Sequence, residues 1–122
     1  MAEAPLERLL ATKEVVVVCG PGGVGKTTTA AAAALMAAVQ LGGKVLVLTV
    51  DPARRLATAL GLESIGNVEV QVAPALLAAA SAHEPRGELW AAQLDTKQSW
   101  DRLVERHAPD ARTRDAILAN PL

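Results

Sequence analysis

The chain has 122 residues, enough for one small domain; 51% of them are hydrophobic, yet only 2% are aromatic, with neither Phe nor Tyr present. A net charge of −1 gives no basis for a nucleic-acid partner, and a single cysteine excludes an internal disulfide. Residues 1–10 lack the basic start and apolar run of a signal peptide, and no apolar stretch spans a membrane without glycine or charge interrupting it, so the protein reads as cytoplasmic.

In chain order, residues 1–13 form a short amphipathic lead-in, with Leu6, Leu9 and Leu10 on one face. Residues 15–19 are a β-branched run without polar alternation, as expected of a strand buried on both faces of a parallel sheet. A glycine-rich loop follows, then an alanine-rich helix over residues 27–41 that stops at Gly42 and Gly43. Residues 45–50 are a second apolar strand, which completes a βαβ unit with a right-handed crossover. Asp51 and Pro52 end that strand, and residues 54–60 form a short helix closed by Gly61.

Residues 68–72 alternate apolar with polar and predict a third strand near an edge. Residues 73–87 read as a loop with one helical turn at 76–80, and residues 89–94 as a fourth strand. Trp100, Leu103, Val104 and His107 fall at helical spacing, and a last helix is expected over residues 110–119. The fold class is therefore α/β, a P-loop type with a partial doubly wound, mostly parallel sheet flanked by helices.

Chemistry concentrates in the loop. Residues 20–27 read Gly-Pro-Gly-Gly-Val-Gly-Lys-Thr, which matches the phosphate-binding pattern Gly-x-x-x-x-Gly-Lys-Thr. Gly20, Gly22, Gly23 and Gly25 let the backbone, with Val24, turn its N–H groups toward phosphate oxygens. Lys26 brings a mobile charge for the β- and γ-phosphates, Thr27 a hydroxyl ligand for Mg²⁺, and the helix start at Thr27 and Thr28 a partial positive charge. Four specified positions arise by chance in roughly one in 10⁴ to 10⁵ windows. A glycine-rich turn that binds nothing is therefore a poor account of the loop. ATP or ADP is the expected ligand.

At residues 22–28 the loop resembles the deviant phosphate-binding loop of the ATPases that include ArsA, the partition and septum-positioning ATPases and nitrogenase iron protein. Those relatives carry a lysine where this chain has Pro21, and that lysine reaches across a dimer. Residues 50–56, Val-Asp-Pro-Ala-Arg-Arg-Leu, resemble the first switch segment of the arsenite-pump and tail-anchored-protein-targeting members. The chain is thus identified as an ArsA-like ATPase, a divergent bacterial one with proline in the loop.

The resemblance implies that Asp51, with Lys26, is catalytic and that Asp51 orients the attacking water. A carboxylate at the carboxyl end of a strand overlooks the ligand crevice, but the same residue also suits a cap for the following helix. It further implies ATP and Mg²⁺ as cofactors, a homo- or heterodimer of related ATPases, and anion transport or handling of a membrane-protein client, with a membrane protein or transporter as a further partner.

Arg54 and Arg55, which replace polar residues of the switch segment, read as a solvated basic face, with contact to phosphate or to a partner subunit as the alternative. The family's second switch motif has no counterpart here, and Asp95 with Thr96 reads as a helix N-cap and not as a Mg²⁺ site. A sheet of about seven strands is the family pattern, so residues 1–95 read as the amino-terminal part of the ATPase domain and 96–122 as the start of a helical subdomain. As an amino-terminal fragment, such a chain is expected to hydrolyse ATP very slowly or not at all by itself.

His83 and His107 share no ligand cluster, so no metal site is expected through them. Cys19 and the two tryptophans, Trp90 and Trp100, are read as core residues, with a partner-binding groove as the alternative for the tryptophans. Two other functions remain open beside the ATP hydrolase: a partition or septum-positioning ATPase, and a non-catalytic nucleotide-binding module.

Overall fold

A computed structural model describes residues 5–50 and 54–120. Helix α1 covers Pro5–Thr12 and α2 covers Lys26–Met36, continued by a π-helical segment at Ala37–Leu41. Strand β1 follows at Gly43–Thr49, then α3 at Arg54–Ala59, β2 at Val70–Gln71, α4 at Pro74–Ala79 and β3 at Gly87–Gln93. Helices α5, Thr96–His107, and α6, Ala111–Leu118, close the described chain.

The sheet has three strands in the order β1-β3-β2. β1 and β3 run parallel in register from Gly43 opposite Gly87 to Thr49 opposite Gln93, and β2 is antiparallel to β3. Backbone bonds from Val72 N to the Leu89 carbonyl (2.9 Å) and from Gln93 N to the Gly66 carbonyl (2.8 Å) carry the chain along β3 on either side of the short β2. The strands β1 and β3 start in unusually close approach. A Cβ on Gly87 would stand 2.8 Å from the Gly42 carbonyl carbon and 2.9 Å from the Ala38 carbonyl oxygen, besides colliding with the Gly43 carbonyl oxygen. Only glycine fits there.

One face of the sheet carries the core. Val47, Leu89 and Ala91 pack with Ala31, Ala34 and Ala38 of the long helix, with Leu56, Ala57 and Leu60 around α3, and with Leu77 of α4. Alanines in the long helix let its backbone lie close to the sheet, as the composition implies. Leu46 and Leu48 of β1 point to the other face and are exposed. On that face the Lys44 ammonium sits 4.4 Å from the centre of the half-buried Trp90 ring, and Trp90 Nε1 donates to Glu88 Oε2.

Three expectations need correction. Residues 15–19 are not a strand: they join no ladder among the described residues, and β1 stands at the edge of the sheet. Their exposure alternates, with Val15 at 80%, Val16 at 39%, Val17 at 79% and Val18 at 38%, so the segment is extended with one side turned inward. A β-branched run favours extension, but a strand also needs a hydrogen-bonding neighbour. The crossover proposed from that segment is accordingly absent, and the parallel connection present is β1 to β3.

Second, the sheet is mixed and covered mainly on one side, so a doubly wound parallel arrangement is not what the described residues form; the α/β class stands. Third, Cys19 is exposed because its segment is not enclosed, and Trp100 is 59% exposed on α5, which contacts chiefly α6. The remaining elements agree with expectation to within a few residues.

Candidate functional site

The loop after residue 19 ends where α2 begins. Gly25 occupies the N-cap position with φ 89° and ψ 23°, in the left-handed region, and has no side chain with which to cap the helix. Gly23 has φ 76°. The loop with these two turns and the start of α2 border one concavity, and helix-start donors have no intrahelical partner. A Cβ on Gly22, Gly23 or Gly25 would meet no atom within 4 Å, so the space before the loop is open.

A cavity of about 330 Å³ lies there, lined by Gly22, Gly23, Gly25, Lys26, Thr27 and Thr28 on one wall and by Arg54 and Arg55 on the other. Its volume is at the lower end of the roughly 300–1,000 Å³ typical of small-molecule sites. Among the described residues, every ionisable group lining it is cationic. The Lys26 ammonium donates to the Pro21 carbonyl oxygen at 2.9 Å, folded back along the loop. Thr27 is half-buried and Thr28 exposed, both on the first turn of α2.

Six of the expected loop residues therefore line one cavity. Gly20 and Val24 do not line it. Asp51 falls outside the described residues. Arg54 and Arg55 were expected on a solvated face. They are exposed but belong to the loop's cavity, because α3 packs on α2 and its first turn lies across from the glycines. Their position just after the end of β1, where ligands gather in α/β sheets, was the sequence signal for this.

Asp95 caps α5, its carboxylate accepting from Gln98 N at 2.9 Å, as read from the sequence. Asn67 braces the same corner: its Oδ1 accepts from Asp95 N at 2.7 Å and its Nδ2 donates to Gln98 Oε1 at 2.6 Å. This cluster is structural, at a helix start remote in sequence from the glycine loop.

The model of the anion-transporting ATPase family matches residues 13–115, a span that holds the loop, the cavity and all three strands. The chain belongs to the anion-transporting ATPase family, the ArsA ATPases. No curated protein sequence matches it. At the coarse level set by the family, this is an ATPase-type chain. Among the described residues of this family member, no helix is long and apolar enough to cross a membrane.

The family's Mg²⁺ is compatible with the residues present. Thr27 offers one hydroxyl at the cavity wall, and Mg²⁺ ordinarily takes few protein ligands beside phosphate oxygens and water. No group of three or more His, Cys, Asp or Glu placed to hold a metal occurs among the described residues.

Proposed function

We propose that this chain binds Mg-ATP at the loop formed by Gly20, Gly22, Gly23, Val24, Gly25, Lys26, Thr27 and Thr28, and serves ATP hydrolysis coupled to anion transport or to the handling of a membrane-protein client. The observation that carries the reading is the concavity in front of Gly22, Gly23 and Gly25, faced by Lys26 and by the uncapped start of α2. Such a concavity suits a chain of phosphates: backbone donors hold the oxygens while Lys26 leaves its carbonyl partner for the β- and γ-phosphates. Mg²⁺ bound at Thr27 would neutralise phosphate charge.

Asp51 is the residue proposed to orient water for attack on the terminal phosphate. Residues 1–95 constitute the nucleotide-binding part in this reading, and 96–122 open a helical subdomain, supported by the packing of α5 against α6. A cytoplasmic location, a dimer of related ATPases and a membrane-protein or transporter partner complete the proposal.

Titration calorimetry of the chain with Mg-ATP and Mg-ADP tests it. Binding is expected for both, weakened in Lys26→Ala by about tenfold or more, as for loss of a charge-assisted phosphate contact. A folded protein without affinity for either nucleotide would sink the reading. A non-catalytic nucleotide-binding module is the second reading, favoured by the exposure of residues 15–18, which leaves the loop without a paired strand behind it. Binding without turnover would select it.

A further inference from the structure

We infer that Arg54 and Arg55 hold the terminal phosphate of the bound nucleotide, so that this wall of the cavity distinguishes a nucleoside triphosphate from a diphosphate; the inference rests on the nucleotide reading above.

The two arginines and the glycine loop face one cavity from different elements. The loop and the start of α2 can surround only the phosphates that lie against them. A third phosphate, extending away from the backbone donors, enters the space between Lys26 and the α3 wall. A planar guanidinium presents paired N–H donors that match phosphate oxygens, and it stays charged at any working pH.

Placement of this wall is not left to the arginines themselves. The next two residues, Leu56 and Ala57, are 1% and 5% exposed, and Leu60 at the end of the helix is 3% exposed. These side chains fix α3 against α2 in the core, while Arg54 and Arg55 remain exposed at its start. The Arg54 carbonyl accepts from Thr58 Oγ1 at 2.9 Å, a further tie within the first turn. Among the described residues neither guanidinium forms an ion pair, so both charges are available to a ligand. Among the described residues three cations line the cavity, one from α2 and two from α3, which suits a polyanion whose charge grows toward its terminal phosphate.

The test is calorimetry on the full chain with Mg-ATP and Mg-ADP, comparing wild type, Arg54→Ala, Arg55→Ala, the double alanine variant and Lys26→Ala. The double variant is expected to lose about 10- to 100-fold in Mg-ATP affinity, the range for charged hydrogen bonds, and under about threefold for Mg-ADP. The ratio of the two affinities does not depend on the folded fraction. It is therefore informative even where a variant is partly unfolded, and the single variants give it independently. Equal losses for both nucleotides, or none for either, overturn the proposal while the site reading survives, provided Lys26→Ala still weakens both. Wild type binding neither nucleotide, or Lys26→Ala binding both normally, overturns the site reading and this proposal together.

Discussion

Lys26 and Pro21 are joined across the glycine loop: the ammonium of the first residue of α2 donates to the carbonyl of the second loop residue, 2.9 Å away. The bond closes the loop on itself beside the glycines that line the cavity. It also holds the loop's own cation beside the place where a polyanion would enter. The contact is exposed, and surface bonds of this kind contribute little to folding.

Lys26→Ala should thus leave the unfolding midpoint of the free protein nearly unchanged and cut the stabilisation that Mg-ATP confers to about half or less. For wild type that stabilisation is about 2.7 kcal/mol at a ligand concentration 100 times Kd. Thermal unfolding with and without nucleotide reads both effects.

Gly25 and Gly22 should respond differently to alanine. Gly25 sits at φ 89°, where a Cβ costs roughly 1–2 kcal/mol, so Gly25→Ala should destabilise the start of α2 and weaken nucleotide binding. Gly22 is outside the left-handed region and has open space around it, so Gly22→Ala should fold normally. Its methyl would nevertheless stand in the cavity and reduce affinity for phosphate. Denaturant midpoints and calorimetric affinities for the two variants separate the effects.

Gly87→Ala tests the close approach of β1 and β3. Its Cβ would meet three backbone atoms, from Ala38, Gly42 and Gly43, none of which can swing aside. A loss of about 1–3 kcal/mol or more is expected from overpacking, read from urea unfolding. A variant as stable as wild type would mean that the strands part easily.

Asp51→Asn distinguishes the two roles assigned to that residue. Asparagine caps a helix about as well as aspartate, so a purely capping role predicts unchanged turnover. In a water-orienting role the substitution removes the charge and should lower steady-state ATP turnover by roughly 100-fold or more, with affinity little changed.

Asp110 gives α6 a pH dependence. The Thr113 N–H bond to its carboxylate, at 2.6 Å, holds the Asp110 pKa below the ordinary aspartate value. A group depressed in the folded state stabilises above its unfolded pKa and loses that contribution as pH falls through the folded value. Helicity near α6 should therefore be constant from neutrality down to the ordinary aspartate range and fall below it. Asp110→Ala should already be frayed at neutral pH and show no such step; circular dichroism between pH 7 and pH 2 follows both.

Features that depend on a few neighbouring residues were legible in the sequence by itself. The glycine-rich loop, the alanine helix and its glycine stop, the strands near 45–50 and 89–94, and the aspartate before α5 all follow from local backbone preference. In each case the deciding atoms lie within about four residues of one another, as in a helix turn or cap. The resemblance to the ArsA-like ATPases rests on the same kind of short pattern.

The tertiary structure alone decided what depends on neighbours distant along the chain. Residues 15–19 have the composition of a buried strand, yet among the described residues they join no ladder, although β1 keeps one open edge. That outcome left Cys19 on the surface. Trp100 is exposed because α5 finds chiefly α6 to pack on. Arg54 and Arg55 face the glycine loop because Leu56 and Leu60 anchor α3 in the core beside α2, a contact between residues some thirty positions apart. Local preference determines how a segment is bent; burial and pairing are decided by what the folded chain places beside it.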